Sequence, residues 1–331
     1  MSAVSDFPAP AAPPSDLRVL LLGGTGTIGR ATARALVAAG HRVTALVRPS
    51  SRNAVLPPEV TLRTGPVGGR GTLASAMTGQ DAVISCLASR TGAPADAWAI
   101  DHDAHVAALA AATDAGVPRF VLLSAICVQK PRLAFQHAKL AFEAKLRAAP
   151  LAWSIVRPTA YFKSLSGQLA RLQAGKPYLI FGDGRLTACK PISDGDLGRY
   201  LTLCLTDPDL QGRILPIGGP GPALTPRDIG EMLFDLLGKP PRFRSAPPGL
   251  LRTVAAALSL AGRLSPKAAE KAELARIGHY YATESMLVWD EAAGRYDADA
   301  TPEFGRETLR DHLAALISGS LTDERGAHAV F

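Results

Sequence analysis

The chain has 331 residues, of which 47% are hydrophobic and 20% are charged, and its formal net charge is +7. It is long enough for one or two globular domains, and it contains no apolar run of the roughly 20 residues that a membrane-spanning helix needs. The basic residues form no clustered stripe, which argues against nucleic-acid binding, whereas the excess of positive charge suits a small anionic ligand.

The N-terminal segment and the cysteines indicate the compartment. Residues 1–16 are rich in Pro and Ala and contain no Lys or Arg, which predicts a disordered tail rather than a secretory signal or a transit peptide. The four cysteines include no C-x-x-C pair, and three of them lie in apolar runs. This pattern predicts reduced thiols in a cytoplasmic protein and no metal site.

From residue 17 onward, short apolar runs alternate with helical stretches. The run 17–22 is continuously hydrophobic, as expected of a strand buried on both faces, and an alanine-rich helix at 29–39 ends at Gly40. Further strands are predicted at 41–47, 60–63, 81–87, 120–124 and 152–156, and further helices at 71–77, 98–115 and 133–148. This alternation predicts an α/β fold with a doubly wound parallel Rossmann sheet.

The pattern changes after Pro158. Turn-rich pieces such as Gly182-Asp183-Gly184 separate shorter strands and helices as far as about residue 318. We therefore predict a Rossmann domain at 17–158 and a smaller substrate-binding part at 159–318, which is interleaved with the last Rossmann elements. A frayed tail is predicted at 319–331.

The clearest motif is Gly23-Gly24-Thr25-Gly26-Thr27-Ile28-Gly29, which follows the first strand and opens the first helix. Its glycines at 23, 26 and 29 permit a tight turn, a close approach of the backbone to a pyrophosphate, and close packing of helix on strand. The start of the helix adds free N–H groups and a partial positive charge. The context favours a dinucleotide site over a merely flexible turn.

The end of the second strand indicates which dinucleotide binds. An NAD-binding protein commonly carries Asp or Glu there, for the ribose hydroxyls. This chain reads Leu46-Val47-Arg48-Pro49-Ser50-Ser51-Arg52, without a carboxylate. Arg48 can offer its planar fork to a 2′-phosphate, with Arg52 as a helper, although a lone arginine is often only solvated. The predicted cofactor is NADPH.

These motifs resemble the extended and atypical short-chain dehydrogenase/reductases. Ser124 ends the fifth strand, and Val156-Arg157-Pro158-Thr159 follows at the sixth, where the backbone of that superfamily holds the nicotinamide amide. The superfamily's Tyr-x-x-x-Lys pair reads Phe135-Gln136-His137-Ala138-Lys139 here, so the phenol is missing. The resemblance implies that Lys139 binds the nicotinamide ribose. Without the resemblance, Lys139 would be interpreted as a solvent-facing residue of an amphipathic helix.

The missing phenol restricts the chemistry. A ketone reductase needs a positioned acid, because hydride addition leaves an alkoxide that must be protonated. Phe135 offers no acid, which argues against ordinary alcohol or ketone chemistry. Reduction of a conjugated carbon–carbon double bond stays compatible with the sequence, since the charge left by the hydride spreads over the conjugated system.

Three segments, 135–140, 156–165 and 280–287, sharpen the resemblance, together with Thr301-Pro302-Glu303-Phe304-Gly305. Over about residues 17–318 the chain closely resembles NADPH-dependent divinyl chlorophyllide a 8-vinyl-reductases. The resemblance implies reduction of the 8-vinyl group of a 3,8-divinyl (proto)chlorophyllide to ethyl in (bacterio)chlorophyll biosynthesis, by hydride transfer to a conjugated C=C. The partner would be a small-molecule magnesium porphyrin or chlorin pigment precursor.

The motifs and the resemblance together assign site residues. The expected cofactor-binding residues are Gly23, Thr25, Gly26, Thr27, Ile28, Gly29, Arg48, Arg52, Leu87, Ser124, Lys139, Pro158 and Thr159. The proton donor stays open between Lys139, Tyr161, Lys163 and water. One departure from many relatives is Gly65-Pro66-Val67 after the third strand, where an acidic residue for the adenine is missing.

A flat, apolar pigment with a propionate requires aromatic and aliphatic walls and a cation. The expected substrate contacts are Phe135, Phe162, Tyr280, Tyr281 and Met286, with core packing as the alternative for each aromatic ring. Candidates for the propionate are Lys163, Lys190 and Arg276. The apolar segment 250–264 is predicted to be a core helix beside the pocket, with peripheral contact to a photosynthetic membrane as the alternative.

Two other functions stay open on the sequence. Superfamily members without the tyrosine also act as non-catalytic NADPH-binding sensors or assembly factors, and other members reduce other conjugated alkenes. All three hypotheses share NADPH and differ in the second ligand.

Overall fold

The computed structural model describes residues 16–51, 55–262 and 265–322. Arg52, residues 1–15 of the predicted N-terminal tail and residues 323–331 of the predicted C-terminal tail lie outside these ranges. The strands are β1 (Arg18–Leu22), β2 (Arg42–Val47), β3 (Thr61–Thr64), β4 (Ala82–Ser85), β5 (Arg119–Leu123), β6 (Ala152–Pro158), β7 (Tyr178–Phe181), β8 (Arg213–Ile217), β9 (Phe243–Ala246), β10 (Val288–Asp290) and β11 (Arg295–Asp297).

Helices lie between most of the strands of the central sheet. They are α1 (Thr27–Ala38), α2 (Arg70–Met77), α3 (Pro94–Ala97), α4 (His105–Asp114), α5 (Ala134–Arg147), α6 (Phe162–Leu165), α7 (Leu169–Gln173), α8 (Asp194–Leu203), α9 (Pro226–Leu236), α10 (Leu250–Gly262), α11 (Pro266–Thr283) and α12 (Leu309–Ser318). A π-helical turn, Trp98–Ala104, joins α3 to α4, so the helix predicted at 98–115 begins with a wider turn than expected.

Seven parallel strands form the central sheet, in the order β3-β2-β1-β4-β5-β6-β8. All four residues of β4, like Val19–Leu22 in β1, are buried, because helices cover both faces of the sheet. The predicted α/β fold with a doubly wound parallel sheet is confirmed.

Each face of the sheet has its own apolar core. One core joins the sheet to α1 and α8, and the other joins it to α2, α4 and α5. Gly198 allows α8 to approach α1 closely, since a Cβ at this position would lie 2.7 Å from the carbonyl carbon of Ala31. The two cores hold the strand ends and the start of α1 in a fixed arrangement.

After residue 158 the chain alternates between the central sheet and a smaller part. Strand β8 lies beside β6 in the central sheet, and α8 packs on α1. In the smaller part, β7 and β9 form a parallel pair. A third apolar cluster lies there, with residues from β7, α6, α7, α9 and α12.

Helix α10 packs against α11 but is otherwise largely exposed. Of its residues only Ala255 is buried, whereas the side chains of Leu250, Val254 and Leu260 expose 47%, 39% and 65% of their surface. The expectation of a core helix at 250–264 is therefore wrong for the described residues 250–262. Among the described helices, none has the length and apolar character that would be needed to cross a membrane.

Candidate active site

The phosphate loop, residues 23–29, connects β1 to α1. Gly23 has a φ of +74°, and a Cβ there would lie 2.6 Å from the carbonyl group of Cys86, just after β4. A Cβ on Gly29 would lie 2.2 Å from the Gly23 carbonyl oxygen. At Gly26, by contrast, a Cβ would meet that oxygen at 3.5 Å, an ordinary contact. Packing within the protein therefore requires glycine at 23 and 29. It does not require glycine at 26, where a side chain would project away from the loop.

Positive charge surrounds this loop. Lys163 Nζ donates a hydrogen bond to the Thr27 hydroxyl (2.5 Å), and Arg30 Nη1 donates one to the Thr25 carbonyl (3.2 Å). Within the described residues no side chain caps α1, and its first turn contains no acidic residue. Free helix N–H groups with two cations nearby are an environment that binds phosphate groups. The residues present thus fit a dinucleotide.

Arg48 directly follows β2 and is exposed. The Ser51 N–H donates to the Arg48 carbonyl (2.8 Å) and holds a short 3₁₀ turn, Pro49–Ser51. Because the carboxyl ends of parallel strands meet at one edge of a sheet, Arg48 lies at the same edge as the phosphate loop. Its proposed helper, Arg52, lies outside the described residues.

Lys139 is buried on α5, and its Nζ lies 2.9 Å from Asp101 Oδ1. The interpretation of Lys139 as a solvent-facing lysine is therefore wrong. Asp101 belongs to the π-helical turn, and its Oδ1 also accepts a hydrogen bond from the Ser89 N–H (3.3 Å), in the loop after β4. This ion pair connects α5 to the end of the fourth strand.

His105 connects the end of β4 to the π-helical turn that contains Asp101. Its Nε2 lies 2.9 Å from Ser85 Oγ at the end of β4, and its Nδ1 lies 2.9 Å from the Ile100 carbonyl. Burial is the main cause that lowers the pKa of His105 to about 4, and the Lys139 ammonium lowers it further. His105 is therefore neutral at physiological pH, and one ring nitrogen donates while the other accepts.

Ser124, which follows β5, belongs to a buried network of hydrogen bonds around Glu143. Its hydroxyl donates to Glu143 Oε1 (2.5 Å), and the guanidinium of Arg157 at the end of β6 binds the same carboxylate. Ser124 and Glu143 expose 3% and 2% of their surface. The Ser124 oxygen retains lone pairs for a ligand, but its proton is held by Glu143.

The segment after β6 is also held by the protein. The Thr159 N–H donates to the Ile217 carbonyl (3.0 Å), and its hydroxyl donates to the Lys190 carbonyl. Both hydrogen-bond donors of Thr159 are thus used within the fold. Thr159 and Pro158 shape the end of the strand, and Leu87 lies at the corresponding end of β4, half-buried against the core.

The phenols of Tyr161, after β6, and Tyr281, on α11, both interact electrostatically with the Cys127 thiol. The Tyr281 hydroxyl, from α11, donates to Cys127 Sγ at 3.9 Å. Burial raises the pKa of Tyr281, and Cys127 and the Tyr161 phenol raise it further, while burial followed by the thiol of Cys86 raises the pKa of Tyr161. Both phenols are therefore protonated at physiological pH.

The expected substrate residues separate into two groups. Phe135, Tyr281 and Met286 are half-buried around one apolar cluster near the phenols. Tyr280 is buried in that cluster, and its hydroxyl lies between the carbonyls of Cys127 (2.9 Å) and Lys130 (3.1 Å). Phe162 is 2% exposed and belongs to the core of the smaller part. Tyr280 and Phe162 are packing residues in this structure.

The three candidate cations for a propionate all have protein partners. Lys163 binds Thr27 as described, Lys190 Nζ lies 2.5 Å from Glu303 Oε1, and Arg276 binds Glu273 and Ser259, each at 2.7 Å. The structure thus places Lys163 at the phosphate loop, away from the role of a free substrate cation.

Sequence reasoning missed Asp101, His105, Glu143 and Arg30. The role of each of these residues depends on contacts that the local sequence pattern does not show. Asp101 lies 38 positions before Lys139, in a stretch whose pattern indicates an ordinary helix. The sequence offered one indication of an ion pair, namely a charged residue such as Asp101 in a segment that is otherwise expected to be buried. Charged residues are seldom fully buried without a partner.

Comparison with known proteins completes this description. A family model described as NAD(P)H-binding matches residues 23–208. A chloroplast divinyl chlorophyllide a 8-vinyl-reductase from Cucumis sativus is 43% identical over 96% of this chain and 80% of its own length, and the Oryza sativa subsp. indica protein of the same name is 43% identical over 96% and 83%. This chain belongs to the divinyl chlorophyllide a 8-vinyl-reductase family.

Solved structures support the fold of this vinyl-reductase family member. The Escherichia coli NADPH-dependent quinone oxidoreductase QOR2, in complex with NADPH, superposes with a TM-score of 0.67 at 19% identity, over 90% of this chain and 99% of that chain. The match shows the fold. The NAD(P)H-binding family model confirms the prediction of a nicotinamide dinucleotide cofactor. Membership of the vinyl-reductase family confirms the predicted enzyme class, an oxidoreductase.

Proposed function

We propose that this protein reduces the 8-vinyl group of a 3,8-divinyl chlorophyllide-type pigment to ethyl, with NADPH as the reductant. The observation that carries the proposal is the 43% identity to named vinyl reductases over 96% of the chain, combined with a phosphate loop that fits a dinucleotide. The replacement of the superfamily's phenol by Phe135 agrees, because a conjugated alkene needs no acid at an alkoxide.

In this proposal the cofactor's adenosine end lies at Arg48 and its pyrophosphate at the start of α1. Lys163 and Arg30 add positive charge there. Lys139 binds the nicotinamide ribose as one half of the ion pair with Asp101. When bound, NADPH supplies a hydride to one vinyl carbon, and the protein supplies the proton that the other carbon takes up.

The proton donor in our proposal is one of the two phenols, Tyr161 or Tyr281. Both are protonated at neutral pH, because the ordinary pKa of a phenol, 10.0, already lies well above 7 and burial raises it further. Lys139 is the weaker candidate, since its ammonium is already paired with Asp101 at 2.9 Å. Lys163 is held on the Thr27 hydroxyl, so we propose a phosphate-binding role for it in place of a catalytic one. A phenol at a carbanionic carbon transfers its proton and is then reprotonated from solvent.

The apolar cluster beside the phenols is proposed as the wall of the pigment site. Phe135 and Met286 are half-buried there, and Ile277 of α11 lies against Gly92 in the loop after β4. Phe162 and Tyr280 are not included in this wall, because so little of their surface is exposed.

The test combines purified protein, NADPH and 3,8-divinyl chlorophyllide a. The expected product is heavier by two hydrogens, with one NADPH consumed per pigment and a blue-shifted Soret band. Tyr161→Phe and Tyr281→Phe identify the donor, because the correct one lowers kcat at least tenfold without weakening NADPH binding. Unchanged pigment in the presence of tightly bound NADPH would refute the proposal and favour the non-catalytic sensor or assembly factor.

We also propose that α10 contacts an anionic membrane surface, where pigments accumulate. Leu250, Val254 and Leu260 are exposed on this helix, which also carries the exposed cation Arg252, and amphipathic helices bind acidic bilayers through such apolar and basic residues. Sedimentation with phosphatidylglycerol vesicles should recover the protein, and phosphatidylcholine vesicles should not. Leu260→Ser should reduce recovery, whereas Leu321→Ser, at a leucine that is 40% exposed elsewhere, should leave it unchanged. Equal recovery of both variants would exclude α10 as the element that contacts the membrane.

A further inference from the structure

Asp101 occupies an unusual position for a carboxylate. It is 1% exposed, and it lies in the π-helical turn between α3 and α4. A π turn inside a helix widens the backbone locally and is frequent at functional sites. Here the wider turn brings the Asp101 side chain to α5 and to the loop after β4.

The two carboxylate oxygens of Asp101 differ in their contacts. Its Oδ1 binds both Lys139 Nζ (2.9 Å) and the Ser89 N–H (3.3 Å). Its Oδ2 is buried and has no hydrogen-bond partner among the described residues. Buried polar atoms are seldom left without partners in native proteins, so such an atom marks a place where another donor binds.

We propose that Asp101 is a positioning residue that fixes Lys139 at the nicotinamide end of the cofactor site, so that the two side chains bind the cofactor as one unit. The inference rests on the proposed function only for the statement that Lys139 meets the cofactor. A lysine side chain has four rotatable carbon bonds, and a buried carboxylate restricts it to the orientation that serves the ligand. The neutral His105, bonded to Ser85, holds the adjoining turn without adding charge.

The same loop contains a matched control. Asp96 accepts hydrogen bonds from the N–H groups of Arg90 (2.8 Å) and Thr91 (2.9 Å), so it too anchors the loop after β4. Unlike Asp101, Asp96 makes no ion pair with Lys139 in the described part of the chain. A variant at Asp96 therefore disturbs the loop without disturbing Lys139 directly.

The experiment is an NADPH titration followed by fluorescence, in the absence of pigment, so its outcome is independent of whether vinyl reduction occurs. We expect Asp101→Asn to raise the Kd for NADPH about tenfold in the wild-type background and less than twofold in a Lys139→Met background. Asp101→Glu should recover part of the affinity. Asp96→Asn should have the same effect in both backgrounds, since it does not act through Lys139.

Independent, multiplicative effects of Asp101→Asn and Lys139→Met on the Kd for NADPH would overturn the proposal. If Asp101→Asn fails to fold, the double variant removes both buried charges and keeps the test open. A double variant with a higher Tm than Lys139→Met alone then supports the coupling, and one with a lower Tm contradicts it.

Discussion

Replacing Gly26 by alanine distinguishes what the fold requires of the phosphate loop from what the ligand requires. The new Cβ would meet only the Gly23 carbonyl oxygen at 3.5 Å, and the Gly26 φ of −73° suits any residue. We expect the free energy of unfolding to change by less than about 1 kcal/mol, the size of a changed helix N-cap. In Gly29→Ala the Cβ would lie 2.2 Å from the same oxygen, so we expect a loss of about 1–3 kcal/mol from overpacking.

NADPH should distinguish Gly26→Ala from wild type. The added methyl group projects where the pyrophosphate approaches, and we expect the Kd to rise about tenfold, equivalent to about 1.4 kcal/mol. At an NADPH concentration of about 100 times the wild-type Kd, the ligand stabilises the wild type by about 2.7 kcal/mol and should stabilise Gly26→Ala by only about 1.4 kcal/mol. Thermal unfolding with and without NADPH measures both quantities. A Gly26→Ala protein with the full ligand-induced rise in Tm would refute the assignment of this loop.

Three further predictions follow from single side chains. Arg48→Glu should weaken NADPH binding about 10–100-fold more than NADH binding, whereas Arg42→Glu, at the opposite end of β2, should affect both equally. The pKa of His105 is lowered to about 4 in the folded protein, so below pH 6.5 the unfolded chain binds a proton that the folded chain does not. The free energy of unfolding should therefore fall as the pH falls from 6.5 to 4. In urea titrations, His105→Gln should reduce this dependence of the free energy of unfolding on pH. Tyr280→Phe should cost about 1 kcal/mol of stability with kcat unchanged, and a tenfold loss of kcat would contradict its packing role.

The extent of sequence-based prediction differs along the chain. Strands β1 to β6 and the phosphate loop were predicted within a few residues, because each produces a local signal in hydrophobic runs and glycine spacing. The helix predicted at 98–115 was right as a helical segment, but its π turn was not foreseen. Asp101 of this turn pairs with Lys139 of α5, a contact between distant segments that no local pattern records.

Site residues show the same division. Lys139 and the phosphate-loop glycines were identified from motifs, whereas Asp101, Glu143 and Arg30 were not. Lys163 was expected near the chemistry, and the structure places its ammonium on the phosphate loop, 136 positions away in the chain. Tyr280 and Phe162 resembled substrate aromatics in the sequence, but burial makes them packing residues.

The sequence by itself determined the fold class, the dinucleotide loop and the family, since these follow from local periodicity, glycine spacing and motif order. Only the tertiary structure decided that Lys139 is paired with a buried carboxylate, that the Tyr281 hydroxyl reaches Cys127, and that α10 presents leucines to the surroundings. The physical reason is that these features depend on contacts between segments far apart in the chain, and on which face of an element its neighbours cover.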